Sequence, residues 1–366
     1  MKKFRWLSVA LAICIMLGGA PIGASGHVYA KDNENENQET IQDETKELPG
    51  EEGDNGTGDD SIEEQPTPSV PVTKEEKKLA AKKAVNIKNP SLKVDAKYAL
   101  LMDAQNGKVC YQKKALEHTP SASTSKLITA IAACEIFGSK DKLKVGNELK
   151  MVAWDASRAG FAKGEKMSLK QALSGLLLPS GCDAAYIIAV NGGRKLAGNR
   201  KLSDKKAVKK FMDYTNKIAF EIGAVNSNFI TPDGYHASGH YTCAYDMALI
   251  GKKAMEYKTI CDITKKSFIK TKLSSGQTKR WTNTNALVNK KSEFYMPNCI
   301  GLKTGTTSKA GACLVAAVKR DGKQYIAVIL KGVGNGRFAD ASKLLRYGLK
   351  LPKTSKRSGM LVTDAA

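Results

Sequence analysis

Strand-forming runs occupy both ends of the foldable part of this chain, and helix-forming runs fill its middle. Near the front, KYALLMDAQNGKVCYQ (97–112) reads as two strands joined at Asn106-Gly107, the strongest short hairpin signal. Near the back, CIGLKTGTT, ACLVAAVKR and QYIAVIL read as three more strands, the last two joined across Asp321-Gly322. Between these ends, STSKLITAIAACEIFG predicts a helix from near Ser123 to Gly138. Ser168 to Gln171 forms a capping box ahead of QALSGLLL, and DKKAVKKFMDYTNKIAFEIG predicts a helix stopped by Gly223. The amphipathic run ADASKLLRYGLK closes the domain. Strands at both ends must pair to bury their apolar faces, which predicts an α+β fold. One antiparallel sheet is built from both chain ends and flanked by helices, with an all-α lobe inserted between them. A cleft between sheet and lobe follows from that arrangement.

What precedes this domain has a different composition. MKKFRWLSVALAICIMLGG has a basic tip, an apolar run and then small residues up to Ala30, so residues 1–30 read as a secretory signal peptide. An uncleaved membrane anchor is the rival reading, because the run nearly spans a bilayer if it continues to Ile22. Either way the domain is exported, to the extracellular face of the membrane or the cell wall, tethered if the segment stays. Residues 31–73 hold fourteen acidic and two basic side chains and almost nothing to bury, so 31–76 reads as a disordered acidic linker. The folded domain is placed at 77–351, with 352–366 as a tail. Without leader and linker, residues 74–366 carry 53 basic against 22 acidic side chains. That excess favours an anionic surface, acidic lipid headgroups or anionic cell-wall polymers, beside the plainer reading of a solvated lysine-rich surface. Nucleic acid fits poorly, since the lysines are spread out and no basic-aromatic stripe accompanies them.

Seven cysteines remain once Cys14 leaves with the leader, an odd number without a CxxC pair, so neither a disulfide framework nor a structural zinc site is expected. Cys110, Cys134, Cys243 and Cys313 lie in apolar segments and read as small core fillers. His236 and His240 have helical metal-pair spacing, but Gly234 and Gly239 place them in a loop.

Three short motifs can meet at the cleft. Ser123-Thr124-Ser125-Lys126 opens a helix. A serine hydroxyl needs a base to become a nucleophile, and a lysine three residues along the same helix face reaches it if burial and neighbouring positive charge keep it neutral. By itself this spacing carries no information, because it recurs at Ser139–Lys142, Ser203–Lys206 and Ser267–Lys270 in lysine-rich surface. In LLLPSGCDAAY, Ser180 and Cys182 follow Pro179 at a turn between two helices, where they border the cleft or, more plainly, cap and pack the second helix. Lys303-Thr304-Gly305 lies on a strand. There the glycine lets a substrate backbone lie close and the lysine supplies charge.

In this order and spacing the motifs resemble the active-site serine penicillin-recognising enzymes, with Ser-x-x-Lys, Ser-x-Asn and Lys-Thr-Gly. The nearer likeness is to the low-molecular-mass penicillin-binding proteins of the D-alanyl-D-alanine carboxypeptidase group. It extends through YALLMDAQNGKV, PSASTSKLITA, GEKMSLKQALSGLLLPSGCDAA, TPDGYHASGHYTCAYDMA, WTNTNALV, GLKTGTTSKAGACLVAA and GRFADASKLLRYG. The resemblance implies a β-lactamase/transpeptidase-like fold and no cofactor or metal. It makes Ser123 the acylated nucleophile, Lys126 its base, Ser180 a proton relay to the leaving amine and Lys303 the electrostatic anchor. The amides of Ser123 and Thr306 would form the oxyanion hole. Thr304, Gly305, Thr306 and Arg337 would bind substrate, Arg337 through its terminal carboxylate.

Cys182 departs from the family pattern, which has asparagine there. A thiol is a weaker donor and acceptor than an amide, so the choice between water and an amine as acceptor is left open at this position. The expected substrates are peptidoglycan stem peptides ending in D-Ala-D-Ala, with β-lactams as covalent inhibitors. The alternatives are a DD-transpeptidase with the same acyl-enzyme, or a peptidoglycan-binding module whose catalysis has lapsed.

Overall fold

The computed structural model describes residues 73–352, which form one compact unit. The expected leader, the linker up to residue 72 and the tail beyond Pro352 lie outside the described residues. Helix α1 (Lys74–Val85) begins inside the expected linker, so the boundary at 76 moves back. Thr73 and Glu76 form a reciprocal capping box there, the Glu76 carboxylate accepting from the Thr73 amide at 2.6 Å.

Strands β1 (Tyr98–Asp103) and β2 (Val109–Lys113) form the first hairpin, and the Lys108 amide donates to Asn106 Oδ1 at 2.8 Å in its turn. After them come α2 (Lys126–Ile136), the short ribbon β3 (Lys142–Lys144) and β4 (Lys166–Ser168), α3 (Leu169–Leu177), α4 (Cys182–Leu196) and α5 (Asp204–Glu221). Helices α6 (Ala244–Ala254) and α7 (Lys258–Thr264) and a second ribbon, β5 (Phe268–Lys272) with β6 (Thr278–Thr282), complete the insertion. The chain then returns to the sheet as β7 (Cys299–Thr307), β8 (Gly311–Arg320) and β9 (Lys323–Gly332), and ends in α8 (Gly336–Lys350).

The five-stranded sheet has the order β2-β1-β9-β8-β7 and every pairing in it is antiparallel. As expected, the two chain ends meet inside it, where β1 pairs with β9 from Tyr98 opposite Leu330 to Asp103 opposite Tyr325. Both faces are covered, which is why the central strands read as continuous apolar runs. Leu100, Met102, Val315 and Val328 pack under the helical lobe. Their alternating neighbours Ala99, Leu101, Leu314 and Ala327 pack on the other face with Phe338, Leu344 and Leu345 of α8.

The lobe is held by close helix contacts. At Gly193 of α4 a Cβ would stand 1.8 Å from the Ala207 carbonyl oxygen of α5, so only glycine lets those two backbones meet. The expected capping box of α3 is present, with the Gln171 amide donating to Ser168 Oγ at 3.3 Å. Cys313 and Cys243 are buried as expected, but Cys243 is more than filler: its Sγ accepts from the Asp246 amide at 3.5 Å and caps α6. Cys110 and Cys134 are only half-buried at the core edge.

Gly193→Ala should therefore lower stability by about 3 kcal/mol, the cost of forcing packed elements apart. Urea unfolding checks this, and Gly336→Ala in the first turn of α8, where no atom lies within 4 Å of an added Cβ and the backbone is helical, is its comparison.

Candidate active site

The site is built where α2 and α4 begin and β7 runs past them. A single 3-10 turn, Ala122–Ser125, leads into α2 and leaves Ser123 half-buried while Thr124, Ser125 and Lys126 are buried. Lys126 is fully buried, with its Nζ 2.8 Å from Ser123 Oγ, 3.3 Å from Cys182 Sγ and 2.7 Å from the Asp233 carbonyl oxygen. Nζ donates to all three, which holds it in one position within proton-transfer distance of the Ser123 hydroxyl. That is the proximity a base needs. The lysines of the other three Ser-x-x-Lys matches, Lys142, Lys206 and Lys270, are all exposed, so burial separates Lys126 from its look-alikes.

Ser180 sits in the turn between α3 and α4 with φ +65°, a left-handed conformation that costs a residue with a side chain roughly 1–2 kcal/mol. The turn is fixed from both sides. Its carbonyl accepts from Ser157 Oγ at 2.7 Å, and a Cβ at Gly181 would lie 2.7 Å from the Gly175 carbonyl oxygen. One residue beyond Cys182, the buried Asp183 carboxylate accepts from the amides of Ala159, Gly160 and Phe161 at 2.8, 2.8 and 3.2 Å, tying loop 157–161 to the start of α4. The Cys182 thiol is held neutral, since burial raises its pKa and the nearby Lys126 only partly offsets this.

Lys303 on β7 is fully enclosed. Burial first, then the Lys126 charge, push its ammonium well below the ordinary lysine value, while its Nζ donates to the Thr304 carbonyl at 2.9 Å. Thr304 Oγ1 lies 2.5 Å from Thr284 Oγ1. At Gly305 a Cβ would stand 2.8 Å from the Ser123 amide nitrogen, so the strand passes directly against the turn that carries Ser123. Arg337 reaches the same strand from α8, donating from Nη1 to the Gly305 carbonyl at 3.1 Å and to Thr306 Oγ1 at 2.7 Å. Its buried Nε has no partner among the described residues, leaving a cationic donor unspent.

The structure thus brings Ser123, Lys126 and Cys182 into direct contact. The Ser180 carbonyl meets the Cys182 thiol at 3.9 Å, Lys303 lies on β7 and Arg337 reaches that strand from α8. The sequence reading missed the loop 231–240. There the Asp233 carbonyl accepts from Lys126 and the Pro232 carbonyl accepts from Thr129 Oγ1 at 2.7 Å, one turn further along α2. Gly234, with φ +75°, comes so near that a Cβ would be 2.0 Å from the Ala122 carbonyl oxygen. The Asp233-Gly234 turn signal was present in the sequence, but nothing local said what it would touch. His236 and His240 lie in this loop, and among the described residues no group of three or more His, Cys, Asp or Glu could hold a metal. His240 is buried. Its Nδ1 accepts from the Ile230 amide at 3.2 Å, so its proton is on Nε2, 3.0 Å from Ser125 Oγ.

A profile described as D-alanyl-D-alanine carboxypeptidase, peptidase S11, matches residues 83–334. The chain belongs to this family. It is 32% identical over 268 residues to the D-alanyl-D-alanine carboxypeptidase DacF of Bacillus subtilis, covering 71% of this chain and 64% of that protein. It is 31% identical over 283 residues to the D-alanyl-D-alanine carboxypeptidase of a Streptomyces species, strain K15, covering 75% of this chain and 93% of that one. Among solved structures the Streptomyces K15 DD-transpeptidase superposes with a TM-score of 0.65 at 29% identity, over 72% of this chain and all of that one. The fold is therefore the β-lactamase/transpeptidase fold, as the resemblance of the motifs implied.

Burial lowers the His240 pKa from 6.5 to about 4, with Asp233 opposing and His236 adding to the effect. A depressed histidine pKa favours the native state above the unfolded value of 6.5, and that contribution is lost as the pH falls towards 4. The loss amounts to about 3 kcal/mol. Urea unfolding of the parent and of His240→Gln at pH 7 and pH 4 should show the parent losing about 3 kcal/mol more. Equal losses would mean that His240 is not held neutral.

Proposed function

We propose that this chain is a serine-type D-Ala-D-Ala carboxypeptidase that removes the terminal D-alanine from peptidoglycan stem peptides and is acylated by penicillin. The observation that carries this reading is the buried Lys126 amine facing Ser123 Oγ at 2.8 Å, with its other partners already committed. Family membership and the relatives' names support the substrate class. The chain spans about two thirds of the Bacillus relative and nearly all of the Streptomyces one.

In the proposed cycle, Ser123 Oγ attacks the carbonyl carbon of the penultimate D-alanine while Lys126 takes its proton. The developing oxyanion is met by the amides of Ser123 and Thr306. The C–N bond then breaks, and the departing D-alanine amine takes a proton through Ser180. Lys303, close to Lys126 and Cys182, takes part in the electrostatics of the site. Arg337 receives the terminal carboxylate, its guanidinium held beside β7 by the Gly305 carbonyl and Thr306 Oγ1. Water then cleaves the acyl-enzyme. These roles require the extracytoplasmic face of the membrane or the wall, where such substrates lie, and the leader-like residues 1–30 support export.

A second reading, transfer of the acyl group to an amine, is favoured by one feature. At 3.3 Å from Lys126, the Cys182 sulfur is a weaker acceptor than an amide oxygen and a weaker donor to the substrate's amide carbonyl. Deacylation by water should therefore be slow unless an amine is bound. The decisive measurement follows release of D-alanine from a peptide ending in D-Ala-D-Ala, with and without an acceptor amine. Release without the amine establishes the carboxypeptidase, and release only with it establishes the transpeptidase. Ser123→Ala should abolish both, a loss of at least about 1,000-fold. Cys182→Asn should raise the hydrolytic share roughly tenfold, equivalent to about 1.4 kcal/mol on deacylation. No release under either condition returns the lapsed-module reading.

A further inference from the structure

Helices α2 and α4 both start at the active site and both end at a second cavity, of about 930 Å³. At 1.5 Å per residue their 11 and 15 residues put it roughly 16–22 Å from Ser123 and Cys182. Its walls come from the end of α2, the end of α4, the start of α5 and the β3–β4 ribbon. Seven of the lining side chains are cationic and two are carboxylates. Both carboxylates are already taken, Asp141 by Lys195 at 2.6 Å and Asp204 by Arg194 at 2.7 Å. Lys140, Lys142, Lys144, Lys166 and Arg200 are left without a carboxylate partner among the described residues.

The ribbon adds an independent observation. Lys144 and Lys166 are directly opposite each other across β3–β4, and Lys142 lies two residues before Lys144 on the same exposed face. Like charges directly opposite destabilise a strand pair, and this pair is only three residues long. An anion between the strands removes that repulsion, so binding and ribbon stability are linked.

The kind of anion follows from the lining. Cations two residues apart on a strand are about 7 Å apart, which suits a chain of single charges separated by neutral spacers. The unpaired cations are mostly lysines, point charges that accept tetrahedral phosphate without the planar fork that arginine offers to carboxylates. Phe137 is the cavity's one lining aromatic and it is buried, so no platform exists on which nucleobases could stack. We propose that this cavity binds a linear polyol phosphate polymer and so holds the domain on an anionic envelope with the active site at the far end of the lobe.

The test measures binding of end-labelled poly(glycerol phosphate) of defined length to the full chain across a salt series. The triple variant Lys142→Gln, Lys144→Gln, Lys166→Gln should weaken binding by at least about tenfold near 0.1 M salt. It should also reduce the slope of log K against log salt by about 2, at about 0.7 per lost contact on a single-stranded polyanion. The same three positions changed to arginine should bind as the parent does, which separates charge from folding. A control triple, Lys290→Gln, Lys291→Gln, Lys350→Gln, removes equal charge near the other face of the sheet and should change binding less than about threefold. The proposal is overturned if the parent does not bind, if the two glutamine triples lose binding equally, or if the arginine triple loses it. It is also overturned if oligothymidylate binds as tightly with the same dependence on these lysines, which would make the site one for nucleic acid.

Discussion

A fully buried lysine amine is the point on which this site turns. Burying a cation without partners is prohibitive, so Lys126 can sit at the start of α2 only if other elements bring acceptors to it or it gives up its proton. They come from three parts of the chain: Ser123 from the preceding turn, Cys182 from α4, and the Asp233 carbonyl from a loop over a hundred residues away. A second buried lysine, Lys303, lies close enough to feel the Lys126 charge, which together with the larger effect of burial pushes the Lys303 ammonium well below the ordinary lysine value. The chemistry of the site and the cost of its burial are thus the same fact seen from two sides.

Much of the surrounding structure serves to hold these partners in place. Thr129 and His240 pin the loop that supplies the Asp233 carbonyl, His240 bridging the Ile230 amide and Ser125. Asp183 gathers three successive amides of loop 157–161, and Trp281 Nε1 donates to the Ala159 carbonyl at 2.9 Å on the far side of that loop. The strained Ser180 and the left-handed Ala122, at φ +46°, are kept where they are by these contacts. Glycines at 181, 234 and 305 are required by close approach of backbones, each at a place where two elements of the site meet. Rigid support of this kind lets a weak nucleophile be oriented before substrate arrives.

The helical lobe links this site to a basic cavity at its other end. Helices α2 and α4 each carry a site residue in their first turn and a cavity-lining segment at their end. On the proposed reading, an enzyme that works along a polymeric surface gains from separating the contact that holds it from the contact that reacts. Here the separation is the length of two packed helices.

The sequence by itself determined the five sheet strands, helices α2 to α5 and α8, the two hairpin turns, the α3 cap and the residues of the three motifs, but not α1, α6 or α7. What it determined is written in local periodicity and turn chemistry, which need no distant partner. It also singled out Cys182, because the motif around it has a fixed pattern to depart from. The three-residue strands β3 and β4 and the half-polar ribbon β5–β6 were not legible, since such short or exposed strands carry too few apolar alternations to register. Only the tertiary structure decided which Ser-x-x-Lys was buried. It also decided which carbonyl faces its lysine, that His240 is neutral and internal, and that scattered lysines converge on one cavity. Each of these depends on contacts between residues far apart in the chain, and their energies come from burial and approach that no local pattern encodes.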